Sequence, residues 1–197
     1  PGQRNLFRYL RVARQDSRMS TSAGARATDA QRSKVYAAED QFSSLMNRGG
    51  VVEFFGSQLD VPAQKRFASL ESINTYVHVL FTQLNLKLAP PHVRERKGCA
   101  KAHYESENAV IAIPVSGPSA RWALREAVIL HECAHHLAAK LAPTGEPAHG
   151  PIFTACMLHL VQVALGEQAR LLLSAGYLEL GVHIGDHQKI FSLESAT

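Results

Sequence analysis

The stretch Ala120-Arg-Trp-Ala-Leu-Arg-Glu-Ala-Val-Ile-Leu-His-Glu-Cys-Ala-His-His-Leu-Ala-Ala-Lys-Leu141 decides the fold. It holds neither Gly nor Pro and is rich in helix formers, so it reads as one long helix over 120–141. Trp122, Leu124, Val128, Ile129, Leu130, Ala134, Leu137 and Leu141 place apolar groups on more than one side, as a core helix does. In its middle stand His131, Glu132, Cys133, Ala134 and His135, the pattern H-E-x-x-H. Residues i and i+4 lie about 40° apart around a helix and one turn along it, so both imidazoles reach one point. Glu132 sits beside that point, where it can touch a water on the metal rather than the metal itself. The plainer reading, two surface histidines and a solvated glutamate, fits poorly in so apolar a helix, because an unpaired buried Glu is costly.

A catalytic zinc site needs a third protein ligand and one open position. The extended pattern with Gly three residues after the second His and a further His three beyond is absent, since Ala138 and Leu141 stand there. H-x-x-E-H is absent too. The best candidate is His149. The helix continues only six residues past His135, about 9 Å. Residues 142–148, with Pro143, Gly145 and Pro147, can then turn the chain back, leaving His149 at the mouth of the returning helix. The rivals are Glu146 in the turn, His159 about 15 Å further along the next helix, and Glu167.

Working outward, Gln31–Arg48 has helical apolar spacing (Val35, Ala38, Phe42, Leu45, Met46) and ends at Gly49-Gly50. Val51–Phe55 and Gln58–Val61 read as strands around a Gly56-Ser57 turn. Leu70–Leu84 is an amphipathic helix with Ser69 as N-cap, and Pro90-Pro91 is expected to break it. Three strand-like pieces follow, His92–Lys97, Ala102–Glu105 and Ala109–Pro114, with turns at Lys97-Gly98 and Glu107-Asn108. The first is polar, like an edge strand; the third is apolar enough to be buried on both faces. Past the long helix, Gly150-Pro151 opens another that runs to about Leu165. Gly166 divides it from Gln168–Leu180, expected to be helical up to Gly176, and Gly181–Thr197 is expected to be loose. The fold class is therefore α+β: a short mixed or antiparallel sheet packed on the active-site helix, plus further helices.

Composition bounds the rest. The chain has 197 residues, 46% of them hydrophobic, enough for one domain with a real core. No apolar run approaches the roughly 18 residues a membrane span needs. The net charge of +4 is unevenly placed. Residues 1–34 hold eight basic residues (Arg4, Arg8, Arg11, Arg14, Arg18, Arg26, Arg32, Lys34) against Asp16 and Asp29, while the remainder is slightly acidic. Residues 1–29 read as a basic tail, 30–181 as the domain and 182–197 as a second tail. Within the first, Leu6, Phe7, Tyr9, Leu10 and Val12 between arginines could form an amphipathic helix, and Met19 is an alternative start. Five of the ten histidines (His131, His135, His136, His149, His159) cluster together. Cys99, Cys133 and Cys156 include no C-x-x-C pair, which excludes a disulfide framework and fits a reducing cytoplasm. Cys133 and Cys156 read as core, Trp122 and Phe153 as packing anchors with Phe153 bracing His149, and His136 as a residue behind the ligands or at the surface.

H-E-x-x-H followed by His149-Gly-Pro-Ile-Phe153 resembles the SprT-like zincins, which include the Spartan-type DNA-repair proteases. A nearer resemblance, across about residues 30–180, is to the uncharacterised actinobacterial metallohydrolases of the H-E-x-x-H type. It is carried by Gln31–Glu39, Phe55–Gln58, Arg121–Glu126 and Pro147–Pro151. The resemblance implies a small zincin fold with His131, His135 and His149 on zinc and Glu132 as catalytic base, and it assigns no substrate. No Cys-rich zinc ribbon follows, unlike SprT proper. By the same resemblance, a substrate peptide would lie along an edge strand within residues 92–114.

The chemistry expected is metal-assisted hydrolysis of a peptide or amide bond, with Glu132 moving the proton. Tyr104, His103, Tyr177 and Arg121 are the candidates for a second group that holds the oxyanion. The alternative is a zinc-stabilised binding module that uses the basic tail for nucleic acid or a partner.

Overall fold

A computed structural model describes residues 28–97, 101–142 and 145–191. The expected amphipathic segment and Met19, the turn at Gly98, Cys99, Pro143 and residues 192–197 lie outside the described residues. The fold is α+β. In chain order the elements are α1 (Arg32–Met46), β1 (Gly50–Phe54), β2 (Ser57–Val61), α2 (Leu70–Leu84), β3 (His92–Glu95), β4 (His103–Glu105), β5 (Val110–Ile113), α3 (Ala120–Ala123), α4 (Glu126–Leu141), α5 (Pro151–Leu165), α6 (Glu167–Glu179) and α7 (His187–Phe191).

Helix α4 runs through the middle. It packs on α5, α3 and β4; α5 in turn packs on α6, and α6 on α1. Ile129, Leu130, Cys133, Ala134 and Leu137 are fully buried along it, the burial that an apolar helix without a polar face requires. β1 and β2 form an antiparallel hairpin. The second sheet is mixed, in the order β3-β5-β4, with β5 parallel to β3 and antiparallel to β4. β5 is the central strand and Ile111, Ala112 and Ile113 are buried, as its apolar run requires. Among the described residues no helix is long and apolar enough to cross a membrane.

Local sequence explains most boundaries. At α2, the Ser69 hydroxyl accepts from the Ser72 N–H while the Ser72 hydroxyl accepts from the Ser69 N–H, a reciprocal cap worth about 1 kcal/mol. The helix ends at Leu84 because Asn85 turns left-handed (φ 53°), five residues before the prolines expected to break it.

Three expectations are corrected. The helix expected over 120–141 is two, α3 and α4, joined through Leu124 and an extended Arg125. The cause is distant in sequence. The segment 64–67 pairs with the backbone here: Phe67 N–H donates to the Leu124 carbonyl, and Glu126 N–H to the Lys65 carbonyl. The fully buried Glu126 carboxylate accepts from Lys65 N–H and Lys65 Nζ, and the Gln64 side-chain oxygen accepts from Ala127 N–H. Those bonds satisfy the N–H groups of Glu126 and Ala127 in the first turn of α4, which a continuous helix would bond to its own preceding carbonyls.

Second, α6 continues past Gly176 to Glu179, because Leu173 and Tyr177 bury on the face that packs on α1. Third, the segment after Gly181 is not loose through Phe191. Val182 is buried, Gly185 N–H donates to the Pro151 carbonyl, and α7 packs on α5.

Candidate metal centre

His131 and His135 project from one side of α4, and His149 precedes α5 by two residues. One ring nitrogen from each lies within 4.8 Å of the others. The Nε2 atoms of His131 and His135 are 3.2 Å apart. His131 and His149 are buried and His135 is partly so. Gly150 makes the turn possible: a Cβ there would lie 2.4 Å from Glu146 Oε1 and 3.0 Å from the Pro147 carbonyl oxygen. Phe153, one turn into α5, packs its ring against all three imidazoles at 4.5 to 5.0 Å between centroids. It braces the whole triad and not His149 alone. Tyr36 of α1 stacks on His131 at 5.2 Å and tilts against His149 at 5.1 Å.

Two carboxylates from the start of the fold hold two of the rings. His131 Nδ1 lies 2.6 Å from Glu39 Oε2, and the other oxygen of Glu39 accepts from the Tyr177 hydroxyl at 2.6 Å. His149 Nδ1 lies 2.7 Å from Asp29 Oδ2, while Asp29 Oδ1 accepts from the His149 backbone N–H. The Gln31 side chain adds a donor to the His149 carbonyl. A carboxylate accepts, so each Nδ1 carries the proton and each Nε2 presents its lone pair inward. His149 Nε2 is buried and has no hydrogen-bond partner among the described residues. An orphaned buried nitrogen facing two other imidazoles is what a metal ion satisfies.

Electrostatics follow from the same contacts. Burial, then the neighbouring His131 and His149, hold the His135 imidazole well below its usual range, so it is neutral. Burial also lowers His149, against the pull of Asp29. Burial works to lower His131, but the Glu39 charge and hydrogen bond outweigh it and raise the ring. Tyr177 stays a phenol, because burial and Glu39 push it well above 10.

Glu132 is buried beside the triad. Burial pushes its carboxyl up to about 6, Glu39 adds to this, and His131, the Tyr104 backbone and Arg96 oppose it. Tyr104 ties β4 to α4 at two points. Its backbone hydrogen-bonds Glu132, and its hydroxyl lies 2.9 Å from His136 Nδ1. His136 Nε2 is 3.0 Å from the Ala89 carbonyl oxygen, which can only accept, so the ring is protonated at Nε2 and takes the Tyr104 proton at Nδ1. His136 is thus a buried strut between α4, β4 and the segment before β3, and not a surface residue.

The rivals for the third ligand are engaged elsewhere. Glu146 accepts from the Ile152 N–H at the start of α5. His159 Nδ1 pairs with His187 Nε2 at 2.9 Å, and Glu167 pairs with Arg170. Of the four oxyanion candidates, Tyr177 is buried behind Glu39 and Tyr104 is bound to His136. His103 sits between Arg96 and Glu105, and Arg121 is exposed on α3. None is free beside the triad. Cys133 and Cys156 are buried and form no disulfide among the described residues, in the core as expected.

Sequence reasoning missed Asp29, Glu39 and Tyr36. Glu39 carried one signal, a carboxylate among the apolar positions of an amphipathic helix; Asp29 fell in the expected tail and carried none. No family model, curated protein or solved structure matches the chain, so the reading of the site rests on its own geometry.

Proposed function

We propose that the protein is a zinc-dependent hydrolase of peptide or amide bonds, with one zinc ion on His131, His135 and His149 and Glu132 as the base. The observation that carries this reading is the unpartnered Nε2 of His149 facing the Nε2 atoms of the H-E-x-x-H pair. Three imidazoles, two of them oriented by carboxylates, are a donor set that suits zinc and leaves a position open for reaction. Bound there, zinc would supply Lewis-acid and water-activating chemistry. The protein's own residues supply the rest. Glu132 takes the proton of the attacking water on its carboxylate and hands it to the leaving nitrogen. β4 lies at the sheet edge beside α4 and offers extended backbone along which a peptide can run. Buried cysteines outside any disulfide, Cys133 and Cys156, suit a reducing compartment such as the cytoplasm. The resemblance of the sequence to SprT-like zincins agrees with this reading.

The test is Glu132→Gln in the zinc-loaded protein, against a mixed-sequence library of internally quenched peptides. The variant should keep the wild-type zinc content and lose at least about a hundredfold in cleavage rate. Equal rates in the two proteins would sink the proposal.

A further inference from the structure

Arg32 opens α1, one turn before Tyr36. Its guanidinium carbon lies 5.6 Å from the centre of the Tyr36 ring, and Lys101 Nζ lies 5.6 Å from the same centre. That ring sits 5.2 Å from the ring of His131 and 5.1 Å from that of His149. One aromatic ring thus separates two exposed cations from the metal ligands. Among the described residues neither cation forms an ion pair with a carboxylate. The Arg32 guanidinium hydrogen-bonds the Tyr36 side chain, and its charge opposes protonation of His131 and His135. The carboxylates that hold the ligand rings are already engaged. Asp29 gives one oxygen to the His149 ring and the other to its backbone N–H, and Glu39 is shared by His131 and Tyr177. Asp40 lies about 12 Å further along α1 than Arg32. It lines the same recess as Lys101, so it offsets Lys101 and leaves Arg32 uncompensated. Helix α1 does not need the charge either. It has no acidic residue in its first turn and no side-chain cap, and a cation at that end opposes the helix dipole.

We infer that Arg32 receives a carboxylate of the substrate, one or two residues from the cleaved bond. The inference rests on the hydrolase reading above and names its substrate class: peptides cut next to a free C-terminus or an acidic residue. A guanidinium presents its N–H donors in a planar fork that matches a carboxylate, and the bond to Tyr36 occupies only part of that fork. An extended peptide advances about 3.4 Å per residue. With only the Tyr36 ring between the guanidinium and the ligand imidazoles, a carboxylate that close to a carbonyl at the metal falls within reach of Arg32. A basic side chain in the same place meets the like charges of Arg32 and Lys101.

Hydroxamates bind zinc and can carry a carboxylate at a chosen place, so they test Arg32 without a known substrate. The probes are malonyl monohydroxamates coupled to alanine, alanine amide, aspartic acid amide and asparagine amide, titrated by calorimetry into the zinc-loaded full chain. Acetohydroxamate is the reference. The first pair presents or removes a C-terminal carboxylate, and the second a side-chain one. In at least one pair the acid should bind at least about fivefold tighter than its neutral amide. That preference should fall to within about twofold in Arg32→Gln, because the partner charge is gone. Arg32→Lys, which keeps the charge without the fork, should retain part of it. The pair that responds identifies the source of the carboxylate. A carboxylate that merely favours the zinc keeps its advantage in Arg32→Gln. Such an unchanged preference, or no preference in either pair, overturns the inference while acetohydroxamate binding leaves the zinc site standing. Failure of acetohydroxamate itself to bind the zinc-loaded chain overturns both.

Discussion

Glu39 Oε2 lies 2.6 Å from His131 Nδ1, although 92 residues separate the two in sequence. The contact makes α1 part of the metal centre, since the same carboxylate also receives the Tyr177 hydroxyl of α6. A carboxylate with two donors in a buried site holds the ring of His131 in one tautomer and one orientation. Glu39→Gln keeps the volume but turns an NH2 donor towards one of those two donors. It should weaken zinc binding by about 10- to 100-fold, measured by competition with a chromogenic chelator. Unchanged affinity would show that Glu39 serves packing alone.

Asp29 does for His149 what Glu39 does for His131, and it also fixes the backbone of the ligand loop. Asp29→Ala should cost zinc affinity by about tenfold or more, while secondary structure by circular dichroism stays that of the wild type. Deleting residues up to Ala30 should have the same effect as the point substitution; retention of full affinity by either would contradict this role.

Gly150 occupies a position where a methyl group meets Glu146 and Pro147. Gly150→Ala should destabilise the fold by about 1–3 kcal/mol, the usual range for forcing extra atoms into a packed site. Because the strain falls on the loop that carries His149, zinc release should accelerate in the same variant. Stopped-flow chelation checks the second effect, and chemical denaturation the first.

The contact between α5 and α7 should depend on pH. His159 and His187 face each other at 2.9 Å, with the Phe191 ring 4.4 Å from that of His159. Burial, then the nearby His187, pushes His159 down to about 4. An unfolded histidine titrates near 6.5, so between those values the undocked chain binds more protons than the docked one. Docking is therefore fully stable above about pH 6.5 and weakens as the pH falls towards 4. Hydrogen exchange of the 187–191 amides, corrected for intrinsic rates, should be faster at about pH 5 than at about pH 7.5. His159→Phe should shrink the difference to what His187, also held below its usual range by burial, contributes.

How much of this was legible in the sequence follows from the range of the forces involved. The H-E-x-x-H pair and the Ser69 cap depend on neighbours within one helical turn, so their spacing gives them away. His149 could be chosen because only a short turn separates it from α4. Glu126 is different. Its partner at residue 65 converts a continuous helix-forming stretch into two helices, and no local propensity encodes that. Asp29 and Glu39 were hidden for the same reason, since a carboxylate's role as ring holder exists only once α1 has folded against α4 and α5. The capped Glu146 illustrates the converse: a residue of ligand type at a plausible spacing, spent instead on the first turn of α5.

One metal held by three histidines is the feature from which the proposed chemistry follows, and metal content per chain tests it most directly. Elemental analysis of the purified full-length protein after gel filtration should find about one zinc per chain in the wild type. His131→Ala, His135→Ala and His149→Ala, each still folded by circular dichroism, should fall well below that. A wild type that takes up no zinc when it is supplied, or a His149→Ala protein that holds as much as the wild type, would contradict the central claim.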